Sequence, residues 1–151
     1  MHLPSTTFAA LLLFCSINCA PQVSFQLSIL NQTTHPLTVG VIKEGDPYEP
    51  ALASPEQLAI NTSLEALPPW GHVIPPGKTI DSPPITGAFA HGAAAVLRVY
   101  RGQFSNAQLL AISNPSPDRA ELLLFPGLTQ IIVHEDPQKG LILERVRSKA
   151  P

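Results

Sequence analysis

The sequence predicts an all-β protein, built as an antiparallel β-sandwich of about seven to nine strands. Short segments of apolar or alternating residues recur along the 151-residue chain, and turn-forming residues separate them at near-regular intervals. No long helical pattern alternates with these segments, as a parallel α/β fold would require. These observations favour two packed sheets joined by short turns.

The first two strands are predicted from the alternation of apolar and polar side chains. Every second residue of 23–29 is apolar, which is the period of a half-buried strand. Residues 31–36 form a polar turn, and the alternation resumes in residues 37–41. Two alternating segments on either side of a short polar loop indicate a hairpin or a corner of a sandwich.

Residues 44–92 differ from the rest of the chain and are predicted to be a Pro-rich insertion in the middle of the sandwich. Pro-Pro pairs occur at residues 68–69, 75–76 and 83–84. Proline lacks a backbone N–H and restricts φ, so these pairs exclude a long central strand. They leave room for short edge strands, such as one in residues 71–74.

One short helix is predicted inside this insertion. Ser54 has the position of an N-cap, Pro55 occupies the first helical position, and Gln57 is spaced to complete a capping box. Apolar residues follow at helical spacing, namely Ile60, Leu64 and Leu67.

Five further strands are predicted after residue 92, in residues 95–100, 108–112, 121–125, 128–133 and 141–146. In the first of them, Leu97 and Val99 face one side of the sheet. The side chains on its other face are those of Val96, Arg98 and Tyr100. The number and spacing of the strands are typical of immunoglobulin-like and related sandwiches.

Residues 1–19 are predicted to be a secretory signal peptide. Residues 8–14 are an unbroken apolar run with the size of a signal-peptide core, well short of the roughly 20 residues that cross a bilayer. The small and polar residues Ser16, Asn18 and Ala20 follow this run, as expected near a cleavage site, and place the cut near residues 19–20. Two alternatives stay open: a buried N-terminal element of the domain, and a bacterial lipoprotein acylated at Cys19.

On this prediction the protein is secreted, and residues 20–151 form a single domain without disulfides. Cys15 and Cys19 are the two cysteines of the chain, and both leave with the signal peptide. A domain of this length buries enough surface to fold without disulfides. The loss of every thiolate excludes cysteine nucleophiles, cysteine-based zinc sites and blue-copper sites, and no cofactor or metal is predicted.

Composition and charge exclude further classes of function. The formal net charge of −2 does not provide the basic face that nucleic-acid binding requires. The basic residues Arg145, Arg147 and Lys149 are interpreted as part of a solvated tail. Proline is abundant, at 17 residues, while 44% of the chain is hydrophobic, which indicates a folded domain with Pro-rich loops rather than disorder. No transmembrane segment is predicted in the mature chain.

Two sequons for N-glycosylation are present, at Asn31 and Asn61. Each is followed by a non-proline residue and then Thr or Ser, and both lie in polar segments. Both asparagines are predicted glycan acceptors in a eukaryotic secretory protein. The alternative is that each is an unmodified residue that shapes a turn.

Two aromatic residues held by prolines are predicted anchors for a partner. Trp70 lies between Pro69 and Gly71, and Tyr48 lies between Pro47 and Glu49. An exposed, rigid aromatic side chain loses little entropy on contact, and it suits a protein or glycan partner. The alternative for Trp70 is that it packs beneath the Pro-rich insertion as a cap on the core.

These features together predict a secreted, non-enzymatic glycoprotein that binds an extracellular protein or glycan, directed at a host or a cell wall. One alternative is a small secreted hydrolase or metal-dependent enzyme, using His72, His91 or His134 with a nearby carboxylate. The histidines form no metal-binding motif, and no nucleophile elbow or phosphate loop occurs in the chain. A second alternative is a structural component of a wall or matrix.

Overall fold

A computed structural model describes residues 20–60 and 62–146. These residues form nine strands and two short helices, and single 3₁₀ turns at Pro50–Leu52 and Leu64–Ala66 flank the first helix. The helices are α1 (Pro55–Ile60) and α2 (Asn106–Leu110). The strands are β1 (Gln22–Asn31), β2 (Leu37–Glu44), β3 (His72–Ile74), β4 (Thr79–Asp81), β5 (Ile85–Ala88), β6 (Ala94–Arg101), β7 (Arg119–Leu123), β8 (Gly127–Asp136) and β9 (Gly140–Arg145).

The strands make two sheets that pack face to face, which confirms a mostly β, sandwich-like architecture. Sheet I has the order β4–β1–β8–β9, with β5 also paired to β1, and sheet II has the order β3–β2–β6–β7. All pairs among the described strands are antiparallel except β1 with β8, which run parallel. The prediction of a fully antiparallel sandwich was wrong for this pair, because strand alternation carries no information about the direction of a distant partner.

The main core lies between the two sheets. Alternate residues of β1, including Phe25, Leu27 and Ile29, face alternate residues of sheet II. In β6 the predicted alternation is confirmed: Leu97 and Val99 belong to this core, while the other face of the strand also becomes buried. β6 is therefore covered on both sides, as expected for a central strand with an additional layer above it.

That additional layer consists of the helices and the loops beside them, on the outer face of sheet II. A second apolar cluster lies beneath it, made of Ile42, Trp70, Val96, Tyr100 and Leu109. Side chains from both helices and their flanking loops pack against this cluster, namely Leu58, Phe104 and Ile112. The Pro-rich insertion therefore supplies half of a small helical layer as well as strands β3, β4 and β5.

Helix α1 begins where the sequence predicts. The Ser54 hydroxyl accepts a hydrogen bond from the Gln57 backbone N–H at 3.2 Å, and the Gln57 side chain accepts one from the Ser54 N–H at 2.9 Å. This reciprocal pair is the predicted capping box. The helix ends at Ile60, earlier than the apolar spacing indicated, and the exposed side chains of Ile60 and Leu64 show that no core lies beneath that extension.

Helix α2 corrects a predicted strand. Residues 108–112 were expected to be extended, but residues 106–110 are helical. Ser105 and Gln108 form a second capping box, and Leu109 is fully buried in the outer cluster. A short apolar run does not distinguish a strand from a buried helix, and here the capping residues decide for the helix.

An ion-pair network connects α1 to sheet II. The buried Arg98 guanidinium donates to Glu121 and to Glu56, each at 2.7 Å, and Arg119 donates to Glu121 at 2.7 Å. Burial would raise the pKa of Glu56 and Glu121, but hydrogen bonds and the adjacent guanidinium charges outweigh it. The pKa of each carboxyl therefore lies below its ordinary value of 4.5.

We expect this network to make stability depend on pH in the acid range. A carboxyl with a depressed folded-state pKa stabilises the fold above its unfolded pKa, and that stability is lost as pH falls from 4.5 through the folded value. The double variant Glu56→Gln, Glu121→Gln should be less stable than the wild type at pH 7, by roughly 1–2 kcal/mol, because Glu56 remains 45% exposed and screened while Arg98 is buried.

Urea unfolding at pH 7, 5, 4 and 3 measures this difference. The gap between the wild type and the double variant should close below pH 4.5, since protonated glutamates no longer pair with Arg98. The other carboxylates contribute equally to the stability of both proteins, so their effects cancel in the difference between the two free energies of unfolding. A gap that keeps its full size at pH 3 would contradict the assignment.

Candidate functional site: an apolar cavity beside the Pro-rich insertion

The two sheets close on one side of the sandwich and separate on the other. At the closed side, the Arg145 guanidinium of β9 donates a hydrogen bond to the Leu123 carbonyl of β7 and lies over the Phe125 ring at 4.7 Å. At the open side, where β3, β4 and β5 are short edge strands, a cavity of about 500 Å³ lies between the sheets and extends to Trp70 of the outer cluster. This volume falls within the roughly 300–1,000 Å³ of small-molecule sites.

The walls of the cavity come from both sheets and its rim comes from the Pro-rich insertion. Sheet I contributes Leu27 and Ile29 from β1, and sheet II contributes Val39 and Val41 from β2 and Leu97 from β6. The insertion contributes residues from three separate stretches, among them Leu52, Ala53, Leu58, Pro68, Pro69, Trp70, Ile80, Pro83 and Ile85. The lining is therefore largely aliphatic, with proline rings and one indole.

The opening follows from the proline pairs. β4 and β5 both pair with β1, but Pro83 and Pro84 separate them, so the edge of sheet I is interrupted. Ser82 bridges the gap by bonding to Leu27 twice, with its hydroxyl accepting from the Leu27 N–H at 2.9 Å and its own N–H donating to the Leu27 carbonyl at 2.8 Å. Short edge strands leave the space between the sheets open to the side.

Trp70 is a wall of this cavity and part of the core, so the prediction of an exposed anchor was wrong. It is 9% exposed, its Nε1 donates to the Ala53 carbonyl at 3.0 Å, and its ring meets Tyr100 edge-on at 5.8 Å. The indole lies against Gly40, where a Cβ would come within 2.6 Å of it. The alternative of a core cap is therefore correct, and the glycine inside strand β2 was the available sequence signal for this close approach.

The polar groups of the lining are few. His72 pairs with the inward-facing Val39, so its side chain lies on the cavity side of β3, at the exposed rim. Ser82 lies on the opposite rim, and Asp81 pairs with Ser28 on the outer face of sheet I. Among the described residues that line the cavity there is no Lys or Arg.

Comparison with protein-family models, with curated proteins and with solved structures finds no match for the chain. Within the described residues, no helix is long and apolar enough to cross a membrane. The predicted signal peptide, both cysteines and the basic residues after Val146 lie outside the described residues.

Tyr48, the second predicted anchor, is exposed and separate from Trp70. Its side chain is 53% exposed and borders a smaller hollow of about 160 Å³. That hollow is organised by Lys43, whose buried ammonium group donates to the Pro47 and Ala88 carbonyls and lies 3.2 Å from the Glu49 carboxylate. The structure does not bring the two predicted anchors together, and Tyr48 stays a predicted partner contact.

The predicted glycan acceptor Asn31 conflicts with the structure. Its side chain is completely buried, and its amide nitrogen donates to the His35 and Ile74 carbonyls at 2.8 and 2.9 Å. Its Oδ1 accepts from both the N–H and the hydroxyl of Thr33. A glycan on that nitrogen would replace a donated hydrogen and has no space in this fold, whereas the alternative of a turn-shaping asparagine fits. Asn61 lies outside the described residues.

The histidines proposed for an enzyme are not paired with carboxylates in the described part of the chain. Within that part, His35 Nδ1 forms a hydrogen bond to the Glu135 carboxylate at 2.9 Å, and this pair lies on the surface. His72 lies at the cavity rim, while His91 and His134 do not line it. No group of three potential metal ligands occurs among the described residues.

Proposed function

We propose that this protein is a secreted, non-enzymatic binding protein, and that it takes up an apolar ligand in the cavity between its sheets. The observation that carries the proposal is a cavity of about 500 Å³ with an aliphatic lining and an opening at the Pro-rich rim. Burial of apolar surface supplies binding energy at such a site, and a few rim groups orient the ligand. The N-terminal apolar run and the sequon at Asn61 support a role outside the cell.

In this proposal the Pro-rich insertion forms the opening and one wall of the binding cavity. Its prolines shorten the edge strands and thereby create the opening, and its indole forms a rigid wall. The two predicted partner anchors, Trp70 and Tyr48, both belong to this insertion, and in the present proposal the ligand instead enters between the sheets. Two sheets of similar size, joined where β1 leads into β2, support an immunoglobulin-like class for the frame.

Fluorescence of Trp70 tests the proposal directly. It is the one tryptophan of the chain, and it lines the cavity. Addition of the neutral apolar dye N-phenyl-1-naphthylamine should quench the indole emission and enhance the dye emission. Val41→Phe fills the cavity from β2, because Val41 faces inward and is only partly buried, and it should weaken dye binding at least about tenfold.

Val73→Phe is the matched control. It makes the same change on the adjacent strand β3, where Val73 is exposed and does not line the cavity. Dye binding by this variant should equal that of the wild type. Ile80→Phe, on the opposite wall, provides a second filled cavity should Val41→Phe fail to fold. Equal dye binding by the filled variants and the wild type, or no binding at all, would overturn the proposal.

A partner protein is the second candidate, because exposed apolar side chains also occur on the insertion. They belong to Tyr48, Ile60, Leu64 and Val73. Apolar side chains of a partner could engage this surface without entering the cavity. A glycan partner is less favoured, since the burial of Trp70 leaves Tyr48 as the exposed aromatic platform of the insertion. Binding of a partner protein becomes the favoured function if Val41→Phe and Ile80→Phe bind the dye as the wild type does.

A further inference from the structure

The charge of the cavity limits the kind of ligand it can hold. None of the described lining residues carries a fixed positive charge. The nearby buried ammonium group, that of Lys43, is already engaged by two carbonyls and Glu49 in the separate smaller hollow. The lining residue with a carboxylate, Asp81, pairs with Ser28, so its side chain lies on the outer face of sheet I. A ligand entering the cavity therefore meets no fixed cation.

These conditions disfavour a ligand that ends in a carboxylate. Removing an unpaired carboxylate from water is costly when no opposite charge receives it. A hydroxyl group has a smaller desolvation cost and finds partners at the rim. The His72 ring can donate or accept, and the Ser82 hydroxyl oxygen, which accepts from Leu27, has a second lone pair.

We infer that the cavity selects an uncharged amphiphile, with a hydrocarbon body and a hydroxyl head group, over the same hydrocarbon ending in a carboxylate. The body would lie between Leu27, Val41 and Trp70, and the head group would lie at the rim between His72 and Ser82. This inference rests on the proposed function, and it adds the chemical class of the ligand.

Two probes of equal chain length, 1-decanol and decanoate, test the selection at pH 8. Each is titrated into the full-length secreted protein below its aggregation limit, with Trp70 emission as the readout. The alcohol should bind at least about tenfold more tightly than the carboxylate, because the carboxylate lacks a counter-charge.

His72→Arg should reduce this preference. It places a guanidinium on the cavity side of β3, at an exposed position that tolerates a long side chain. Decanoate binding should strengthen at least about fivefold, while decanol binding changes little. Val73→Arg adds the same charge on the opposite face of β3 and should leave the preference unchanged.

The outcomes separate the inference from the function on which it rests. Binding of both probes with equal affinity, or tighter binding of decanoate, would overturn the inference and leave an apolar-ligand protein. Binding of neither probe, together with no dye uptake, would overturn both. An equal gain for decanoate in Val73→Arg would show that overall charge, and not the rim position, controls selection.

Discussion

Trp70→Ala is expected to lower the free energy of unfolding by roughly 3–5 kcal/mol. The substitution removes the largest side chain of the outer cluster, its edge-on contact with Tyr100 and its hydrogen bond to the Ala53 carbonyl. It also exposes the space above Gly40. Such a loss is a large fraction of the total stability of a domain of this size.

Chemical denaturation, followed by far-UV circular dichroism because the tryptophan is lost, measures the change. Tyr48→Ala is the matched control, since it removes an aromatic side chain that is largely exposed, and it should change stability by no more than about 0.5 kcal/mol. A stable Trp70→Ala variant with an unchanged denaturation midpoint would show that the indole is not a core residue and would restore it as a partner anchor.

Asn31→Ala is expected to have the second large effect, a loss of roughly 2–4 kcal/mol. The change leaves the Ile74 carbonyl and the Thr33 N–H without the Asn31 side chain, while the His35 carbonyl keeps its bond from the Thr33 hydroxyl. Asn31→Asp has the same shape but lacks the two donors, and it buries a charge, so it should be at least as damaging. Thermal unfolding should show a melting temperature lower by roughly 10 °C or more.

Gln32→Ala controls for the neighbouring turn, because Gln32 is exposed, and it should be close to neutral. The glycan state provides an independent measurement on the protein recovered from the medium of a eukaryotic secretory host. Enzymatic removal of N-glycans should lower its intact mass by no more than one glycan, because Asn31 is buried. The loss of two glycans, or a neutral Asn31→Ala, would contradict the buried network around Asn31.

Local sequence rules account for most of the strands and for the start of α1. Alternation along β1 and β6 assigns each side chain to a face, because successive residues of a strand point in opposite directions. Ser54 and Gln57 determine where α1 begins, because their hydrogen bonds close within one turn. Each of these signals acts between residues that are close in the chain, so it can be recognised without knowledge of the fold.

The site depended on contacts between distant segments. The burial of Trp70 requires Gly40, which is thirty positions earlier in the chain, and the burial of Asn31 requires the Ile74 carbonyl of β3. The parallel pairing of β1 with β8 and the helical state of residues 106–110 likewise depend on contacts that the alternation of apolar and polar residues does not predict. Composition and period predict which residues avoid water. Whether two apolar faces meet or leave a cavity depends on the complete arrangement of the sheets, because packing is a property of the three-dimensional neighbourhood.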